Sequence, residues 1–175
     1  DEYLTSPLDL RSKFLWYHPH VAILTGIAWD HINVFPTFPE YVDTFRKFVD
    51  GIEENGTFIY YKHDSNLCEI ASHARPDIKQ LSYEAYHGNV DMKIFGKHNM
   101  ENLQAAAFAC QQIGVSLDDF YREISTFTGA SNRLELIDEI GTNVAYKDFA
   151  HSPSKLRATV NAVRERYPEK QLVAA

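Results

Sequence analysis

The amino-acid sequence predicts an α/β protein, and three observations predict it. Val21-Ala22-Ile23-Leu24-Thr25-Gly26-Ile27 is a short apolar run with β-branched residues, the composition of a strand buried in a parallel sheet. The stretch that follows places apolar residues at helical period. Strand-loop-helix order then recurs along the chain, and such architectures bind ligands at the carboxyl ends of their strands. The loops after residues 27 and 148 are therefore where chemistry is expected.

The elements can be justified in turn. After the first strand, a loop carries Trp29, Asp30, His31 and Asn33. Thr37-Phe38-Pro39-Glu40 has capping-box spacing with proline in the first turn. The helix it opens puts Tyr41, Val42, Phe45, Phe48, Val49 and Ile52 on one face, with Asp43, Arg46, Lys47 and Asp50 facing away. Asn55-Gly56 marks a turn before an aromatic-rich strand at residues 57–62. A short helix at 66–73 and strands at 79–86 and 90–95 follow. Residues 99–113 are helical, with a stripe of Met100, Leu103, Ala107 and Cys110 and a stop at Gly114. Ser116 with Asp119 caps a further helix through Ile124. Thr128-Gly129-Ala130-Ser131 reads as a hinge into a second α/β unit. That unit has strands at 134–140 and 143–149, a helix from Pro153 to about Tyr167, and the start of a strand at 171–174.

Composition narrows the function. The chain has 175 residues, 45% of them hydrophobic, enough for one globular domain or a domain with part of another. A net charge of -7 argues against a nonspecific nucleic-acid binder. Cys68 and Cys110 both sit among apolar residues, so no disulfide framework is expected. No apolar run approaches the roughly 20 residues that span a membrane. Asp1-Glu2-Tyr3 has neither the basic nor the apolar region of a signal peptide, and a cytoplasmic location is expected. The ends fall in a charged motif and in the apolar run Leu172-Val173-Ala174-Ala175, so a piece of a longer protein is expected.

Four patches are candidates for chemistry. Trp29-Asp30-His31, at a strand end, can ligate a metal or orient a phosphate, or be a loop-capping aspartate beside a surface histidine. In Gly96-Lys97-His98-Asn99-Met100-Glu101-Asn102, the two asparagines are spaced to project from one helical turn and suit a purine edge. Asn99 as a simple helix cap is the plainer alternative. Ser131-Asn132-Arg133-Leu134-Glu135 offers a cation that is either solvated or a phosphate clamp acting on domain closure. Asp148 can bind ribose hydroxyls, while Ser152-Pro153 can merely start a helix.

Taken in order, these patches resemble the Mur ligase family. The resemblance rests on Asp1-Glu2-Tyr3, Ala28-Trp29-Asp30-His31, the Gly96–Asn102 stretch, Asn132-Arg133-Leu134-Glu135 and Asp148-Phe149-Ala150-His151-Ser152-Pro153. It is nearest to the branch that joins a murein peptide to UDP-N-acetylmuramate, with the L-alanine-adding branch beside it. The resemblance implies the rear part of a central ATPase domain over residues 1–130 and the start of a Rossmann-like carboxyl-terminal domain over 131–175. It implies ATP and Mg2+ as cofactors, and UDP-N-acetylmuramate with an amino acid or murein peptide as partners; no nucleic acid or membrane partner is expected. His31 would ligate magnesium. His98, Asn99 and Asn102 would hold adenine, Arg133 would reach the phosphates, Asp148 would meet the ribose, and His151 would line the interdomain cleft. His31, Arg133 and His151 are thus the implied catalytic residues.

Departures accompany the match. The family's double Arg is Asn132-Arg133 here, its Asp-Asp is Lys147-Asp148, and its His-His-Pro is His151-Ser152-Pro153. No Gly-Lys-Ser/Thr occurs, so the 175 residues alone are expected to be inactive. The alternative is a noncatalytic nucleotide-binding or assembly module with degraded motifs.

Overall fold

The computed structural model describes residues 2–175. Its elements are β1 (Val21–Leu24), α1 (Phe38–Asp50), β2 (Thr57–Tyr61), α2 (Ser65–Ser72), β3 (Lys79–Tyr83), α3 (Lys97–Gln112), α4 (Leu117–Ile124), β4 (Glu135–Ile140), β5 (Asn143–Lys147) and α5 (Pro153–Arg166). They form two compact units, one of Asp1–Glu84 with Gln104–Val115 and one of Ala85–Leu103 with Ser116–Ala175.

In the first unit, β1, β2 and β3 make a parallel sheet in that order, with Ala22 opposite Phe58 and Ile59 opposite Leu81. Side chains alternate across a strand, so neighbours on β2 face opposite layers. Phe58 points into a cluster with Phe45, Phe48, Leu67 and Ile70, from α1 and α2. Ile59 points the other way, onto Tyr83 and onto Ala105 of α3. Both are 0% exposed. Burial of that kind stabilises by about 2–3 kcal/mol per large apolar side chain. A central strand covered on both faces explains why its sequence shows little polar alternation.

The α1 start follows the sequence closely. Thr37 accepts from the Glu40 amide while the Glu40 carboxylate accepts from the Thr37 amide, a complete capping box. All six apolar residues expected on its inner face are buried. Lys47 pairs with Asp43 at 2.8 Å on the solvent side.

The second unit holds the antiparallel hairpin β4–β5 and the helices α4 and α5. The Tyr146 hydroxyl meets that of Tyr167 at 2.7 Å, tying β5 to the end of α5. Ala162 of α5 is 2% exposed, and it packs on Gly96. Gly96 has φ +91°, and a Cβ there would stand 2.5 Å from the Ala162 Cβ. Only glycine meets both conditions.

Two expected strands are not formed. Residues 90–95 alternate in sequence, but no neighbouring strand pairs with them. Alternation supplies a face, not a ladder partner. The Phe95 and Gly96 carbonyls serve the start of α3 instead, accepting from Asn99 and Met100. Residues 171–174 are likewise unpaired, and 171–173 line a cavity of about 610 Å³ beside the hairpin and α5. Among the described residues, no helix is long and apolar enough to cross a membrane.

Candidate nucleotide-binding site

The candidate residues fall in both units, and each group is built by its own unit. His31 belongs to the first. It lies in the loop after β1 with φ 54°, a left-handed conformation that is uncommon for a residue with a Cβ. The loop closes on it: its carbonyl accepts from the amides of Val34 and Phe35 at 2.8 and 2.9 Å, and the Asp30 carboxylate accepts from its amide at 2.8 Å. Nε2 stands 3.4 Å from a Glu2 oxygen, and the ring meets Tyr3 edge-on at 4.9 Å. The Tyr41 hydroxyl donates to the same Glu2 oxygen at 3.3 Å. Burial raises the Tyr41 pKa, and the Glu2 charge raises it further, so that hydroxyl remains a donor. Asp1 lies outside the described residues.

No group of three or more His, Cys, Asp or Glu is arranged to hold a metal among the described residues. Magnesium is commonly held by one or two protein groups with phosphate oxygens and water. One imidazole and the Glu2 carboxylate fit such a partial shell, completed by a nucleotide. They do not fit a closed metal cage.

The second unit contains His98, Asn99, Asn102, Arg133, Asp148 and His151. It brings Arg133 and Asp148 into electrostatic range of His98. Burial lowers the His98 pKa and Arg133 lowers it further, while Asp148 and Glu101 oppose the shift. His98 is therefore neutral at pH 7, with a ring nitrogen free to accept. Asn99 lies inside the first turn of α3, past the cap position, and its side-chain amide donates to the Phe95 carbonyl at 2.7 Å. Asn102 and Arg133 are exposed.

Asp148 is the most heavily bonded of the set. One oxygen accepts from the Ala150 amide at 2.7 Å and the Thr159 hydroxyl at 3.2 Å; the other accepts from the Leu134 amide at 2.9 Å. Leu134 itself has φ 47° and Asn132 has φ 56°, so Arg133 sits within a strained turn that Asp148 holds. A carboxylate has about four acceptor positions, and these three bonds use most of them. Among the described residues His151 has local partners, with Nδ1 at 2.9 Å from the Phe149 carbonyl. Ser152 occupies the helix-cap position of α5 without a side-chain capping bond.

A cavity of about 390 Å³ opens between the start of α3 and α5, lined by Lys97, His98 and Glu101 of α3 and by Arg157, Asn161 and Glu165 of α5. Its size suits a small-molecule site. Asn99, Asn102, Arg133 and Asp148 do not line it, so of the six candidates in this unit it takes in His98 alone. Sequence reasoning missed Thr159 and the Glu2–Tyr41 contact with His31, because these contacts cross the chain and leave no local spacing.

The family model described as Mur ligase middle domain matches residues 8–87, which contain the parallel sheet with α1 and α2. Over 95% of this chain, the UDP-N-acetylmuramate–L-alanine ligase of Lactococcus lactis subsp. cremoris (strain SK11) is 26% identical. The chain resembles the Mur ligase family. A UDP-N-acetylmuramate–L-alanyl-γ-D-glutamyl-meso-2,6-diaminoheptandioate ligase of Escherichia coli (strain K12) is 29% identical over 94% of this chain. The chain spans 42% and 41% of the length of these two relatives. Among solved structures, a murein peptide ligase from Psychrobacter arcticus 273-4 superimposes with a TM-score of 0.67 at 22% identity, over 97% of this chain and 40% of that one. A MurF from Acinetobacter baumannii gives 0.73 at 19% identity, over 92% and 40%. At these identities the structural likeness speaks for the fold.

Proposed function

We propose that this chain is the nucleotide-holding part of a Mur ligase, an ATP-dependent, cytoplasmic ligase of peptidoglycan synthesis or recycling. The ligase joins an amino acid or a murein peptide to UDP-N-acetylmuramate through an acyl phosphate. Arg133 and Asp148 within electrostatic range of His98, which adjoins Asn99 in the first turn of α3, carry this reading. The Asn99 and Asn102 carboxamides offer donors and acceptors to the adenine edge, with neutral His98 beside them. Asp148 accepts from a ribose hydroxyl through its remaining lone pair. Exposed Arg133 binds phosphate oxygens as a cation. His31, fixed by its loop and facing Glu2, contributes to the magnesium shell. Magnesium bound with ATP neutralises phosphate charge, and the rest of the chemistry is positioning. His151 is assigned to the substrate cleft.

In this reading residues 1–130 are part of the central domain. Residues 131–175, with the hairpin and α5, begin the Rossmann-like carboxyl-terminal domain. The 175 residues contain no Gly-Lys-Ser/Thr cradle and are inactive by themselves. Measurable ATP-dependent ligation by them would contradict that.

Isothermal titration of the full-length protein with ATP and magnesium tests the assignment. Asn102→Ala is expected to weaken binding, and unchanged affinity removes the adenine role. Lys147 and Ser152, where the family pattern has acidic and imidazole groups, favour a second reading as a noncatalytic nucleotide-binding module. Tight ATP binding without turnover on either alanine or murein peptide selects it.

A further inference from the structure

We infer that Asp64 is a positioning residue for the loop that carries His31. The inference rests on the proposed metal role of His31, and it starts from how the two Asp64 oxygens are used. Oδ1 accepts from the amides of Asn66 and Leu67 at 2.9 and 3.1 Å, which completes the cap of α2. Capping needs no more than that, and serine, threonine or asparagine would serve as well. Oδ2 does something else. It accepts from the amide of Ile27, 37 residues away in sequence, at 2.7 Å, a shorter bond than either cap.

That amide has a reason to need it. β1 ends at Leu24, so Ile27 has left the ladder, and it is only 6% exposed. A buried amide without an acceptor is costly, so the chain past β1 is held where the carboxylate is. The same oxygen lies against Gly26, 3.6 Å from where a Cβ would stand. From this fixed root the loop runs to its second anchor, where the Trp29 indole donates to the Phe35 carbonyl at 3.1 Å. His31 lies between the two anchors in its left-handed conformation. A strained backbone persists only where its surroundings over-determine it. Asp64 supplies one of those constraints, and it also binds the loop to the start of α2.

Asp64→Ser separates the two uses, because a serine caps a helix but is too short to reach Ile27. In the metal-free chain, amide exchange at Ile27 is expected to quicken by about tenfold or more relative to Ile59, the scale of a lost charge-assisted hydrogen bond. The His31 imidazole resonances should shift or broaden as well. An unchanged Ile27 amide, an unchanged His31 spectrum, or equal acceleration at Ile27 and Ile59 would overturn the inference. Should Asp64→Ser fail to fold, the unmodified chain still decides: a trans-hydrogen-bond coupling between the Ile27 amide nitrogen and Asp64 Cγ is expected, and its absence refutes the clasp. Mn2+ added together with ATP to the full-length protein separates this inference from the one beneath it. No selective broadening of His31 in the unmodified chain removes the metal role and leaves the loop result standing. Broadening of equal extent in Asp64→Ser shows that Asp64 does not position His31.

Discussion

Replacing Asp148 by alanine tests whether the proposed ribose residue first holds its own site together. The substitution strands two backbone amides, those of Leu134 and Ala150, and the Thr159 hydroxyl. A hydrogen bond to a charged group contributes about 1.5–3 kcal/mol when buried, and these groups are only partly buried, so about 1 kcal/mol each is the appropriate scale. The sum is about 3 kcal/mol, spread over the 131–135 turn, the middle of α5 and the loop between β5 and α5. Asp148→Asn retains an oxygen for Ala150 and Thr159 and gives up Leu134, so it should lose roughly a third of that. Urea unfolding followed by far-UV circular dichroism gives the total, and amide exchange at Leu134 and Ala150 gives its location. Faster exchange at both amides in Asp148→Ala, and at Leu134 alone in Asp148→Asn, is the expected pattern. Unmoved exchange at Leu134 would refute the pinning role. Any ATP affinity lost in Asp148→Ala would then belong to a direct nucleotide contact.

Three further outcomes follow from the packing and the charges. Gly96→Ala should destabilise by about 2 kcal/mol or more, since it forces a Cβ onto a left-handed backbone and into Ala162; thermal unfolding measures it. Phe58→Ala empties the middle of the larger core and should cost about 3–5 kcal/mol in denaturant unfolding. The Arg75 guanidinium, bonded to Asp77, holds its carboxyl down at about 2, below the ordinary 3.8. A depressed acid stabilises the fold above its unfolded value, so this contribution is complete above pH 3.8 and is lost as pH falls towards 2. Asp77→Asn should therefore flatten the acid limb of the stability curve, and an unchanged limb would show that the pair contributes nothing.

Much of the first unit was legible because its signals are local. The Thr37–Glu40 box and the inner face of α1 are written at fixed spacings, and the structure reproduces both. The run at 21–27 announced a strand of the parallel sheet, but the ladder stops at Leu24, and β1 is only half buried because it lies at the edge of the described sheet with Ile23 exposed. What the sequence could not convey was which segments would find partners. Residues 90–95 alternate as a strand does but meet no neighbour, and their end serves α3. The site was legible as residue types rather than as bonds. Asp148 looked like a ligand residue, yet most of its acceptor capacity goes to amides and a hydroxyl up to 14 residues away. Asp64 attracted no notice, because its bond to Ile27 spans 37 residues. Contacts between side chain and distant backbone have no period, so no reading of spacing finds them.

The central claim is that the Asn99–Asn102 turn, Arg133 and Asp148 serve one nucleotide. Nitrogen-edited NMR of the full-length protein, titrated with ATP and magnesium, observes the carboxamides of Asn99 and Asn102, the guanidinium of Arg133 and the amides that bond Asp148 together. The account predicts that all of them shift and saturate along a single binding curve. ATP that binds while these signals stay still, or that moves them along unrelated curves, would contradict it.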